Sequence, residues 1–197
     1  HSTIKSASVA VTAGVAVQGV ATGVALSNSK TVAGATASGV AAGEGADTIT
    51  NRGTITTDAR SDVNAASVSV SLQGTQTGLA AGAALSKGET IADALATGIS
   101  AAGGNDSVLN SGEVSAHATI DSTRTNVSVT GGFSLYGMAV GASIVDGSNI
   151  ATSDARAVEG GSGDDTLVNA SRLEASGNTT ATTTTVAGRD SSARRTT

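Results

Sequence analysis

Cysteine, proline and tryptophan are all missing from this 197-residue chain, which has one phenylalanine and one tyrosine. The missing cysteine removes disulfides as a stabilising device. Hydrophobic content is 39%, made mostly of Ala and Val, with almost no aromatics. That excludes a compact spherical core, which would bury too little apolar area per residue to offset the chain entropy lost on folding. Thin stacked layers of small side chains suit the composition better. Basic residues are few and scattered and the net charge is −5, which excludes nucleic-acid binding, since that needs a clustered basic face. No apolar run approaches the ~18 residues of a membrane-spanning helix, so no membrane insertion of this segment is expected. The start, HSTIKS, has neither an initiator Met nor the apolar stretch of a signal peptide and reads as a piece of a longer protein.

What is present is a repeat. Asp47 in GEGADTITNRGTI, Asp106 in AGGNDSVLNSGEV and Asp165 in GSGDDTLVNASRL recur at a constant interval of 59, and the register holds without a gap. Val9, Val68 and Val127 align, as do Val11, Val70 and Val129, then Ile49, Val108 and Leu167, then Asn51, Asn110 and Asn169, then Ile55, Val114 and Leu173. Three units are read at 7–65, 66–124 and 125–183, with 1–6 as the end of a preceding one. Residues 184–197 read as a frayed tail or a truncated fourth unit.

Within a unit the polarity period is two. SVSVSL (67–72) and VSVT (127–130) alternate, and TIT and GTIT around Asn51 read as two short strands at a corner. Helix has a claim only over TIADALATGI (90–99), and its aligned partners at 31–40 and 149–158 are poor helix material, so all three read as strand. The fold class expected is all-β, a parallel β-helix or β-solenoid of three 59-residue repeats. Each unit is expected to hold roughly two or three rungs at about 4.8 Å per rung. The valines of 67–72 are expected to face inward, so Val70→Asp should bury an unpaired charge. Ile49, Val108, Leu167, Ile55, Val114 and Leu173 are expected to be buried. Asn51, Asn110 and Asn169 read as corner residues satisfying turned-away backbone groups.

GGSGDDTLV (160–168) matches the nonapeptide G-G-x-G-x-D-x-U-x at every fixed position. Such loops resemble calcium-binding RTX-type repeats. The resemblance makes Asp47, Asp106, Gly161, Gly163, Asp164 and Asp165 candidate metal residues, with Gly160 and Thr166 beside them and Ca²⁺ the one cofactor implied. Glu44 accompanies Asp47 in the first loop and Asn105 accompanies Asp106 in the second, so affinity is expected to fall from the third loop to the second. At two or three rungs per unit, successive loops would lie about 10–14 Å apart and could not share one ion. The reading that takes precedence is a turn in which Gly supplies positive φ and Asp caps.

The DTITNRGTI-type segments resemble the coils of autotransporter passengers and filamentous-haemagglutinin-like adhesins, and GVATGVALSNSK is similar to trimeric-autotransporter head repeats, whose periods are much shorter. That resemblance implies an extracellular or bacterial cell-surface location. It also implies a non-enzymatic stalk or adhesive surface, with neighbouring repeats, a host surface, a glycan or self-association as partners. The alternative is a calcium-rigidified module.

Other chemistry finds little support. His1 and His117 stand outside the repeat register with no carboxylate pair or Cys at metal spacing. No G-x-S-x-G elbow occurs. Phe133 and Tyr136 are too few for a polysaccharide platform and read as local packing or an end-of-stack plug. Thr ladders of the ice-binding kind fail because TIT at 48–50 becomes SVL one unit on.

Overall fold

The computed structural model describes residues 1–193. Every regular element is a β-strand: β1 (Ser2–Ala41), β2 (Thr48–Asn51), β3 (Ile55–Ser100), β4 (Ser107–Asn110), β5 (Val114–Glu159), β6 (Thr166–Asn169) and β7 (Leu173–Ala193). The long strands form one parallel sheet in the order β1-β3-β5-β7, and the short ones a second in the order β2-β4-β6. Segments 31–40, 90–99 and 149–158 are all strand. The chain is an all-β parallel solenoid.

Every strand pairs with the equivalent strand of the next unit. Val9 pairs with Val68, Val68 with Val127 and Val127 with Val186; Ile49 pairs with Val108 and Val108 with Leu167. One turn of the solenoid therefore consumes a whole repeat, and the expected two or three rungs per unit become one. The reason lies in the glycines. Glycine serves tight corners well, yet several here stand within strands, where they leave room for side chains arriving from across the interior. Gly14 and Gly23 make room for Gln73 in this way. The described part of the C-terminal tail, 184–193, continues the ladder from Thr125↔Thr184 to Ser134↔Ala193; what was expected of 194–197 lies outside the described residues.

The main bend is at Gly19, Gly78 and Gly137, where the long strand doubles back. Gly19 and Gly78 have φ of 97° and 125°, a region open to Gly at no steric cost. A Cβ on Gly78 would also collide with the Gly19 carbonyl oxygen one rung below. The two arms, 55–76 and 79–100 in the second rung, are about 70 Å long at the usual rise per residue. They are held very close. Ser69 Oγ donates to the Ala25 carbonyl at 2.7 Å, Ser128 Oγ to Ala84 at 2.8 Å and Ser86 Oγ to Ser67 at 2.8 Å. Small side chains, Ser and Ala above all, let the two sheets meet this closely, and the longer ones among them enter opposite a glycine.

The rung changes character along its length. Near the Gly-Asp loops, the interior is apolar. Ala59, Val63, Ala92, Ala94, Ala118 and Ile120 form one cluster, and Ile99, Ala101, Val108 and Val114 another. Full burial of Ile99, Val114 or Ile120 is worth about 1.5–3 kcal/mol each. The outer faces there carry charge, with Asp58, Arg60 and Asp93 exposed. Toward the Gly78 corner the pattern inverts. Ser67, Ser69 and Ser71 are fully buried, while Val68 and Val70 point outward and Leu72 is 50% exposed.

The inward placement expected for Val70 is thus corrected. Val63 faces in and Val68 faces out on one unbroken strand because their positions differ by an odd number, with Ala65 and Ala66 at the crossover. In the short sheet and its flanks the expected phase is right. Val108 and Val114 are buried at 2% and 0%, and Ile49 and Ile55 are half-buried. Leu167 and Leu173 are instead 50% and 38% exposed, because β6 and β7 are the last strands of their sheets and nothing described stacks beyond them.

Candidate functional site

The Gly-Asp loops stack directly, one rung apart. Glu44 bridges to Gly103 and Gly103 to Ser162. The expected 10–14 Å separation is overturned with the rung count: consecutive loops are at the ordinary strand spacing of about 4.8 Å. The obstacle to two loops sharing one ion falls with it.

Two columns of positive φ shape the loop. Gly43 (111°), Ala102 (69°) and Gly161 (95°) make one, and Gly45 (125°), Gly104 (126°) and Gly163 (130°) the other. Ala102 is the single non-glycine residue in this region among the described residues. The loop carbonyls are largely committed to the stack. Gly43 and Gly103 accept from the N–H groups of Gly103 and Gly45, and Ala102 and Ser162 from those of Ser162 and Gly104.

Asp47, Asp106 and Asp165 form a column. Asp106 Oδ1 accepts the Asp47 N–H at 2.8 Å, and Asp165 Oδ1 accepts the Asp106 N–H at 3.0 Å. Each carboxylate thereby caps the rung below, as the turn reading requires. The second oxygens tell another story. Oδ2 of Asp47 and of Asp106 are buried without a hydrogen-bond partner, and Asp106 is only 2% exposed. Two like charges at rung spacing, each with a buried orphaned oxygen, would be relieved by a cation. Asp164 stands apart: it is exposed, and its N–H donates to Asn105 Oδ1 at 3.0 Å. Among the described residues no three acidic or histidine side chains converge as a metal cluster. The residues fit Ca²⁺ in part: carboxylates from two rungs are available, while the loop carbonyls are engaged elsewhere.

At the next corner Asn51, Asn110 and Asn169 form an amide ladder. Asn51 Nδ2 donates to Asn110 Oδ1, and Asn110 Nδ2 to Asn169 Oδ1, both at 2.7 Å. Asn51 Oδ1 also accepts the Gly53 N–H at 3.1 Å. The corner role expected of these residues holds, and the ladder adds a link between rungs.

The inverted half also encloses long polar side chains, which no repeated position in the sequence announces. Arg124 is fully buried. Its Nη1 donates to Thr90 Oγ1 at 2.8 Å and its Nη2 to Ser29 Oγ at 2.7 Å, spanning three rungs, while Nε has no partner. Burial holds its pKa below the usual value for arginine, with Glu89 pulling weakly the other way. Asn126 is also fully buried and both its side-chain polar atoms lack partners. Gly88 and Gly147 are the notches that admit these two side chains, and they occupy one register column. An isolated Gly opposite a long polar residue was the available signal.

His117 Nε2 contacts Ser115 Oγ at 2.8 Å, and His1 Nε2 lies 3.7 Å from Asp62 Oδ2. Phe133 and Tyr136 are 47% and 56% exposed, so neither plugs the stack nor packs inside it; they sit on the outer surface near the Gly137 corner. No protein-family model, curated protein or solved structure matches this chain.

Proposed function

We propose that this chain is a structural and adhesive repeat module of an extracellular bacterial protein, presenting surface rather than performing chemistry. One observation carries the reading: all long and short strands pair at one constant offset, a whole repeat, from the first rung to the last. An array with that register can be extended without redesigning any interface, since each rung contacts only its neighbours. The likeness of the DTITNRGTI segments to bacterial surface coils supports the location.

Between stalk and interaction surface, the geometry favours the surface. A rung adds only about 4.8 Å of axial length for a whole repeat of chain, whereas the same chain as a helix would extend ~90 Å. What a rung adds in quantity is two broad outer faces. The test is an in-register duplication, with a second copy of 66–124 inserted between residues 124 and 125. A repeat array accepts it, keeps its β circular-dichroism spectrum and melts no lower. A protein whose function and fold depend on one particular arrangement loses cooperative melting, and that result would sink the proposal.

A second reading, calcium at the Gly-Asp loops, is favoured by the orphaned Oδ2 atoms of Asp47 and Asp106 on adjacent rungs. Calcium is a hard cation with oxygen ligands, and weak extracellular sites lie at roughly 10⁻⁴–10⁻³ M. Bound there, it would neutralise the stacked carboxylates. The measurement is the melting temperature of the chain in millimolar calcium against chelator. A rise supports the reading, and identical melts reduce the loops to turns.

A further inference from the structure

Residues 6–29 and 63–86 contain no charged side chain, and 122–145 contain only Arg124, which is buried. These stretches form the inverted ends of three consecutive rungs. Both outer faces there are aliphatic ladders: Val11, Val70 and Val129 on one arm, and Leu26, Leu85 and Ile144 on the other. Val11, Leu26 and Ile144 are 66%, 58% and 58% exposed. Further rungs add along the solenoid axis, so no extension of the stack, however long, covers these faces. A contiguous apolar surface of this extent marks an interaction site.

We propose that the occupant is a second copy of this chain, docked sheet to sheet through these aliphatic faces. Three features select it. The ladders repeat at one rung spacing on every copy, so the ridges of one face match the grooves of another without further specification. The serine interior is closed, which leaves the outer face as the surface where apolar burial can be gained. A bilayer is disfavoured because the backbone edges of an open sheet cannot be satisfied in hydrocarbon, and β1 exposes such an edge. Sheets that pack face to face lie about 10 Å apart.

The area sets the strength. Each face spans about 30 Å of strand and three rungs, roughly 400–500 Å² per partner. One face-to-face contact therefore buries somewhat less than the ~1,200 Å² of the smaller stable interfaces. Association of this chain is accordingly weak and concentration-dependent. Because both arms carry such a face, it continues past the dimer.

The proposal rests on the repeat-array reading and is tested by sedimentation velocity across a concentration series, with circular dichroism alongside. Leu72→Lys and Leu85→Lys place a charge on each face at positions whose side chains already point outward. The 18.7 kDa chain is expected to rise in weight-average mass with concentration. Each single variant should stop association at the dimer, and the double variant should stay monomeric, all with unaltered β spectra. A wild-type chain that stays monomeric to millimolar concentration while keeping its β spectrum overturns the partner and leaves the array reading intact. Association undiminished in the double variant assigns the contact to strand edges and overturns the face. Flotation with neutral phosphatidylcholine vesicles in place of self-association transfers the face to lipid. Loss of the β spectrum in the wild type removes the array reading and the partner together.

Discussion

The guanidinium of Arg124 fills the space in which a side chain at Gly88 would stand: a Cβ there would collide with Nη2. The pair couples the third rung to the second, and the Nη2 bond to Ser29 carries the link to the first. Gly88→Ala is therefore expected to destabilise the chain by about 1–3 kcal/mol through overpacking. Arg124→Met, which removes a buried charge with no carboxylate partner and keeps the volume, should be neutral or stabilising. In the double variant Gly88→Ala with Arg124→Ala the clash disappears, so chemical denaturation should return a coupling of opposite sign to the single losses. Additive losses would show that the two side chains do not compete for one space.

Ser69 and Val70 give the most direct measure of strand phase. Ser69 is fully buried and donates across the 2.7 Å contact to Ala25, while Val70 lies on the outer face. Ser69→Val should cost more than Val70→Asp despite being the milder chemical change. It adds volume to a single-layer interface and removes a hydrogen bond, for about 2–4 kcal/mol. Val70→Asp loses ladder contacts with Val11 and Val129, for about 1 kcal/mol or less. Thermal melts that rank the two the other way round would restore the inward valine.

How far the sequence could be read follows from those same residues. Alternation identified strands, and the identical neighbourhoods of Asp47, Asp106 and Asp165 identified the repeat period, because a period is visible without knowing the coordinates; that strands pair at the whole period, and not at a half or a third of it, was not visible. The inside of the strand was another matter. Period-two alternation shows that two faces differ without saying which is buried, and hydrophobicity decides only when the interior is apolar. Here the closeness of the arms selects Ser and Gly for size, so the usual inference inverts between Val63 and Val68. The rung count failed for a related reason, since Gly14, Gly23 and Gly88 resemble corners in sequence while acting as clearances in the fold. Of the candidate site, the Asp column and the Asn corner were legible; Arg124 was not, because nothing aligned with it carries its charge.

Ala102 offers a stabilising change. Its φ of 69° sits in a column otherwise held by Gly43 and Gly161, and an L side chain in that region costs of order 1–2 kcal/mol. Ala102→Gly should raise the melting temperature, the gain offset in part by extra freedom of the unfolded chain. A lower melting temperature would mean that the methyl group contributes packing that outweighs its strain.

The Asn ladder should behave as a unit. Asn110 is fully buried and is bonded both to Asn51 and to Asn169. Asn110→Ala leaves the donor of half-buried Asn51 unmet, at about 1 kcal/mol, while Asn169 Oδ1 is exposed and still faces the Ser171 N–H. Asn110→Asp keeps the shape and the acceptor for Asn51 but turns a second acceptor on Asn169 Oδ1, so it should be the more damaging of the two above neutral pH. Equal losses for Ala and Asp would show the ladder contributing packing alone.

Asp106 separates the two roles of the Gly-Asp loops. Its Oδ1 caps the Asp47 N–H, while its Oδ2 has no partner. Asp106→Ala removes the cap and should lower stability by about 1–2 kcal/mol whether or not calcium is present. Asp106→Asn keeps an oxygen for the cap and removes one of the stacked charges, so in chelator it should melt at or above the wild type. In millimolar calcium the two readings part. If the carboxylates of adjacent rungs hold an ion, wild type gains stability, Asp106→Asn gains much less, and their order reverses between chelator and calcium. If the loops are turns, calcium moves neither protein and the order stays as it was.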